Sequence, residues 1–151
     1  MNNAAGGGRA KGASFEREIC KLIEQETSRK LRRRLSQYQE KDLSDLEPAD
    51  NKTFPFLIEC KRYAKVNPSN DWWDQIVRAA KSSANTTDAY PCLIYKLDRQ
   101  PIQVRIPVQS IVALGYDNLA GDTAEAYDWR YTVTLDWDTF AMVLREHLAD
   151  V

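Results

Sequence analysis

Phe54-Pro55-Phe56-Leu57-Ile58-Glu59-Cys60-Lys61-Arg62-Tyr63 is the stretch on which the fold turns. It is rich in aromatic and branched residues and follows Pro48-Ala49-Asp50-Asn51-Lys52-Thr53, a run of turn formers, so it reads as a strand. Pro55 lacks a backbone donor and belongs at the strand's start or at a sheet edge. Successive side chains of a strand face opposite ways, so Glu59 and Lys61 share one side while Ile58 and Cys60 share the other. Acid and ammonium on one strand face form either an exposed ion pair, worth little in stability, or part of a site. The context favours a site: apolar residues lie on both sides, an acid lies upstream and a helix follows.

Upstream, Leu43–Glu47 is short and extended in character. With 48–53 as the turn it is expected to form an antiparallel hairpin with Phe54–Tyr63, which brings Asp45 alongside Glu59. Leu35–Gln39 can also be extended. Phe15, Ile19, Leu22 and Ile23 fall at i, i+4, i+7 and i+8, the apolar face of a helix that starts at Gly12 and runs to Lys30 or on to Arg34. Residues 1–11, with three consecutive glycines, are expected to be a flexible tail, and 12–151 a single domain.

Downstream, Asn70 or Asp71 is placed to cap a helix over Trp72–Ala84, with Trp72, Ile76, Ala79, Ala80 and Ser83 on one face and Gln75 beside it. Tyr90–Leu97 reads as a buried strand. Ile102–Ile106 and Val108–Leu114 are strand-like on either side of Pro107, Tyr131–Leu135 alternates as a strand, and Trp137–Leu148 is a closing amphipathic helix. This order predicts an α/β (α+β) protein with a single mixed sheet flanked by helices.

Composition removes several classes. No apolar run approaches the roughly 20 residues of a membrane span, and no signal-peptide core precedes the first helix, so a cytoplasmic protein is expected. Cys20, Cys60 and Cys92 are odd in number and show no C-x-x-C spacing, against a disulfide framework or a zinc site. The one histidine, His147, is expected on the surface in a helix's last turn. Net charge is −1, yet unevenly spread: residues 1–62 carry 13 Lys+Arg against 10 Asp+Glu, and residues 101–151 carry 3 against 8. The acidic 115–130 segment reads as a loop or partner surface. The densest positive run, Arg29-Lys30-Leu31-Arg32-Arg33-Arg34, suits either phosphate neutralisation or a solvated helix end.

Asp45, Glu59 and Lys61 converging on one patch would suit Mg²⁺, which binds one or two carboxylates, keeps waters and takes substrate phosphate. Lys61 would orient the attacking water or stabilise charge on the phosphate. A second acid-x-Lys match, Asp50-Asn51-Lys52, sits in a turn without an apolar strand and is set aside. A further carboxylate can come from the first helix, where Glu16 and Glu18 lie about 75° and about 85° from the centre of the apolar stripe on opposite flanks. Geometry does not choose between them. Gln75 is placed to hydrogen-bond a metal water.

Lys11-Gly12-Ala13-Ser14-Phe15-Glu16-Arg17-Glu18, then the basic run, then Asp45, then Glu59-Cys60-Lys61, resembles the archaeal-type Holliday junction resolvases and their phage relatives, members of the PD-(D/E)XK superfamily. The likeness spans Lys11 to Arg99. Trp72-Trp73-Asp74-Gln75 and Tyr95-Lys96-Leu97-Asp98-Arg99-Gln100-Pro101 are similar to phage-borne members. The resemblance implies a restriction-endonuclease-like αβββαβ core with a C-terminal strand-helix addition, and a structure-selective DNA endonuclease of phage or prophage origin. It selects Glu16 over Glu18 and implies a catalytic set of Glu16, Asp45, Glu59, Lys61 and Gln75. The metal, Mg²⁺ with Mn²⁺ able to substitute, would be held by Asp45, Glu59, the Cys60 backbone carbonyl and Glu16. DNA, branched or duplex, would lie on Arg9, Lys11, Arg32, Arg33, Arg34 and Arg62, and the chain would act as a homodimer in recombination.

Two departures keep alternatives open. Glu40-Lys41-Asp42-Leu43-Ser44 stands where those relatives often carry a Gly-Gly turn, so Asp42 competes with Asp45. The chain also lacks a resolvase's strong basicity. A restriction- or repair-type nuclease on linear or single-stranded DNA therefore stands as an alternative, and so does a catalytically silent DNA-binding module of the same fold.

Overall fold

The computed structural model describes residues 4–35, 43–65, 70–82, 84–115 and 127–149; side chains of residues 4–9 and 112 are outside it. Asp42, most of the acidic 115–130 segment and Ser83 therefore lie outside the described residues.

Helix α1 spans Ala4–Thr27. It begins before Gly12, the expected start, and so takes in most of the expected tail. Adding turns to an anchored helix costs far less than nucleating one, so alanines and glycines are carried into it. Phe15, Ile19 and Ile23 are buried along its inner face. The helix ends earlier than Lys30 because Ser28 takes a left-handed conformation (φ 64°) and its N–H donates to Glu24 O at 2.8 Å. The reversal lets the following residues run as a strand.

That strand, β1 (Leu31–Arg33), pairs antiparallel with β2 (Leu46–Pro48), with Arg32 opposite Glu47. The expected partner of β2 was β3 (Phe56–Tyr63), but β3 instead pairs in parallel with β4 (Tyr90–Leu97). The hairpin expectation failed because three-residue strands show no period from which pairing can be read. β5 (Gln103–Pro107) and β6 (Thr132–Asp136) complete a mixed four-stranded sheet in the order β3-β4-β5-β6, beside which β1-β2 forms a separate ribbon.

The sheet carries helices on both faces. Phe56, Ile58 and Cys60 of β3, with Cys92 and Ile94 of β4, pack against Phe15, Ile19 and Ile23 of α1 and against Phe140, Val143 and Leu144 of α4 (Trp137–Ala149). On the other face Leu57, Leu93 and Tyr95 meet Trp73, Ile76 and Ala79 of α2 (Asp71–Lys81). Trp73 rather than Trp72 is the buried anchor of α2; its indole N–H donates to Tyr127 O at 2.8 Å. Trp72 is turned toward the sheet's end.

Val108–Val112 is a short helix, α3, where a strand was expected. Its branched residues suit a strand, but Ser110 Oγ donates to Pro107 O at 2.7 Å and the chain closes into a turn. His147 does fall in the last turn of α4, but it is half-buried rather than on the surface. Its Nε2 lies 2.8 Å from Ser110 O, and its ring packs against Phe56 and Tyr90.

Candidate active site

β3 is an edge strand of the main sheet, and a cluster of acids gathers at that edge. Asp45, just before β2, donates its backbone N–H to Ile58 O at 3.0 Å and accepts the Cys60 N–H on its carboxylate Oδ2 at 2.8 Å. It thus satisfies two backbone groups of the β3 edge, its side chain standing in for the carbonyl of a neighbouring strand. Glu59 points to the α2 side of the sheet. Lys61 shares that side, with Nζ 3.3 Å from Glu59 Oε1 and donating to Gln75 Oε1 on α2 at 2.8 Å. Strand alternation thus gives the pair its common direction, and α2 supplies the third member.

Burial sets the electrostatics. Glu16, Asp45 and Glu59 are 7%, 8% and 2% exposed, and a buried carboxylate is costly unless paired. Loss of water pushes Asp45 up to about 6, against the lowering effect of the Cys60 N–H, and the charge of Glu16 raises it further. Loss of water likewise pushes Glu59 up to about 8; the charge of Asp45 adds to the rise and Lys61 opposes it. The two carboxyls lie close enough for each to act on the other. Among the described residues, Lys61 is the cation that opposes the rise at both buried acids, and burial outweighs it, so both carboxyls hold a proton more readily than a free carboxylate does.

Glu16, on the flank of α1, comes near enough for its charge to act on Asp45. Its Oε1, however, accepts from Arg33 Nε at 2.7 Å. Among the described residues no three His, Cys, Asp or Glu side chains form a ready cage for a metal ion. Asp45 and Glu59, hard oxygen donors with excess negative charge, nonetheless fit a hydrated divalent cation, which needs only one or two carboxylates.

The expected DNA-contacting cations whose side chains are described have internal partners. Arg32 pairs with Glu47, and Arg34 bonds Ser44 O at 3.0 Å and Glu47 at 3.2 Å. Arg33, which shares the Leu31 face of β1, turns inward to Glu16; sequence reasoning missed this role, although alternation within Leu31–Arg33 carried the signal. Lys11 and Arg62 converge on one oxygen of Asp98 at 3.2 and 2.7 Å. Arg9 lies on α1, its side chain outside the described residues. The rejected Asp50 is tied to Arg29 at 2.8 Å, whose bond holds its carboxyl down at about 2.

An αβββαβ core with an acid–lysine pair on its edge strand defines a PD-(D/E)XK-type nuclease fold. The family model described as "Phage putative PDDEXK endonuclease" matches residues 7–149, so the chain belongs to that family of phage endonucleases. Among solved structures, Hjc of Archaeoglobus fulgidus, a Holliday junction resolvase from an archaeal hyperthermophile, superposes with a TM-score of 0.50 at 19% identity. The match covers 87% of this chain and 96% of that one, and at this identity it speaks to the fold. No curated protein matches the chain. No helix among the described residues is long and apolar enough to cross a membrane.

Proposed function

We infer that the chain is a Mg²⁺-dependent, structure-selective DNA endonuclease whose centre is Asp45, Glu59 and Lys61. The observation that carries this reading is the pair of buried acids at the edge of β3 with Lys61 beside them, in a chain of an endonuclease family. Asp45, Glu59 and the Cys60 backbone carbonyl would hold the metal, with Mn²⁺ as a substitute, and Glu16 would reach it through water. The bound ion supplies Lewis-acid polarisation of the phosphoryl oxygen and lowers the pKa of an attacking water.

The chain's own groups do the rest. Gln75 fixes the Lys61 ammonium by its amide oxygen, so that the flexible four-carbon stem does not have to be ordered during reaction. Lys61 stands where charge builds on a phosphate held beside Glu59, and stabilises it. Arg33 holds Glu16 in its buried position. Lys11, Arg32 and Arg62 lie toward solvent or at its boundary and would contact the phosphate backbone, in exchange for the acids they now meet. That gives salt-dependent recognition of shape.

The resemblance to archaeal-type resolvases makes a four-way junction the first substrate to test and a homodimer the working assembly, acting in a bacterial host's cytoplasm. The decisive experiment offers a synthetic four-way junction, a linear duplex and single-stranded DNA to the protein, with Mg²⁺ and with chelator. Paired symmetric nicks on the junction alone, abolished by chelator, are expected. Cutting of linear substrates instead makes the enzyme a restriction- or repair-type nuclease. Binding without cutting in any metal overturns the enzymatic reading.

A further inference from the structure

Glu59 and Lys61 are followed on the same face of β3 by Tyr63, and α2 answers each step. Lys61 meets Gln75; one turn earlier on α2, Trp72 meets Tyr63 in a stack with ring centroids 5.0 Å apart and planes 24° from parallel. Behind Trp72 stands Tyr95, 6.0 Å away and tilted by 52°. The three rings form a tier anchored on the sheet at Tyr95 and ending in solvent at Tyr63, which is 48% exposed. Core packing explains Tyr95 and Trp72. It does not explain a large outermost ring left half in water, in line with the acid–lysine pair.

We propose that Tyr63, backed by Trp72, is a stacking shelf for an unpaired nucleobase next to the phosphate held at Glu59 and Lys61. Two residues of strand separate the Tyr63 and Lys61 backbones by about 6.6 Å along β3, roughly two base steps of a stacked strand at about 3.4 Å each. A fully paired duplex keeps its bases inside the stack and offers this ring no π-face. A base freed at a branch, a flap or a single-stranded tract does offer one, and stacking accepts any of the four bases. The shelf would thus select DNA by the presence of unpaired bases near the cut. It deepens the endonuclease reading by naming the feature of the substrate that the site reads, and rests on that reading for the ligand class.

The test uses the full chain in chelator, so that no strand is cut, and two DNAs of one sequence. One carries 2-aminopurine in an unpaired tract, the other in a fully paired duplex. Wild type and Tyr63→Phe are expected to quench the unpaired 2-aminopurine and to bind that DNA alike. Tyr63→Leu is expected to lose the quenching and about tenfold in affinity for it, the scale of one lost stack, with duplex affinity unchanged. Equal affinities of wild type and Tyr63→Leu for the unpaired DNA, or equal losses on both DNAs, would overturn the shelf. Cleavage by wild type in Mg²⁺, measured separately, keeps the two readings apart: a cutting enzyme with an indifferent Tyr63 sinks only the shelf. A protein that never cuts but loses its unpaired-base preference in Tyr63→Leu sinks only the nuclease.

Discussion

Asp45 is fastened to Cys60 at the edge of the sheet, its Oδ2 accepting the Cys60 N–H at 2.8 Å. Asparagine retains a carbonyl oxygen for this bond and removes the buried charge; alanine leaves the N–H without a partner. Asp45→Ala is expected to lower unfolding free energy by about 1–3 kcal/mol, the cost of an unsatisfied buried donor, while Asp45→Asn stays near wild type. Urea titration at pH 7 distinguishes them. Equal stability of the two variants would mean that the bond has no structural role.

Asp45 and Glu59 make stability fall as pH rises. An acid raised in the folded chain, to about 6 and about 8 here, binds its proton more tightly folded than unfolded. Its contribution is full below the ordinary carboxylate value of about 4 and is lost as pH passes through the folded value. In chelator, the melting temperature of wild type should therefore decline from pH 6 to pH 8 relative to that of Glu59→Gln, which has no proton to lose there. Mg²⁺ should restore wild type most at the high end, since a metal held at this site would compete with the proton for the same oxygens. Parallel melting curves for the two proteins across this range would contradict the assignment.

Arg33 holds Glu16 through a 2.7 Å bond in a mostly buried pair. Removing one partner of such a pair strands the other's charge. Arg33→Ala is expected to cost about 2–3 kcal/mol, somewhat less than in a fully dry interior because Arg33 keeps some solvent. Arg33→Met with Glu16→Gln should recover part of the loss. A single variant no weaker than the double one, by calorimetry, would show that the pair is dispensable.

Asp98 accepts from both Lys11 and Arg62 on one oxygen, an arrangement a DNA phosphate could reproduce. Asp98→Asn should free two cations for the backbone. The expected result is several-fold tighter DNA binding at low salt and a steeper fall of affinity with salt. An unchanged salt slope would place Lys11 and Arg62 outside the DNA contact.

Much of the fold was legible where one element carried a full period. The apolar row Phe15, Ile19, Leu22, Ile23 gave α1, and alternation over Phe54–Tyr63 gave β3 and the shared direction of Glu59 and Lys61. What escaped depended on single residues or long-range pairing. Ser28 stops α1 by a left-handed turn that serine does not announce, and β1 and β2 are too short to show whom they pair with. Val108–Val112 has the composition of a strand and is bent into a helix by its neighbours. The basic run read as a phosphate patch because charge counts carry no direction; once Leu31–Arg33 is a strand, Arg33 must face inward beside Leu31. Tyr63 and Trp72 were visible as aromatics, but their stack needed the packing of α2 on β3.

Lys61 and the two buried acids would cut DNA that other residues hold, a division of labour that separates rate from affinity. It is tested most directly by single-turnover cleavage of a four-way junction in Mg²⁺ by wild type and Lys61→Ala, with affinity for the same DNA measured in chelator. The expected result is a fall in cleavage rate of about a hundredfold or more, as for loss of a group that stabilises developing charge, with affinity changed little. Cleavage by Lys61→Ala at the wild-type rate, or a loss of rate explained entirely by lost binding, would contradict it.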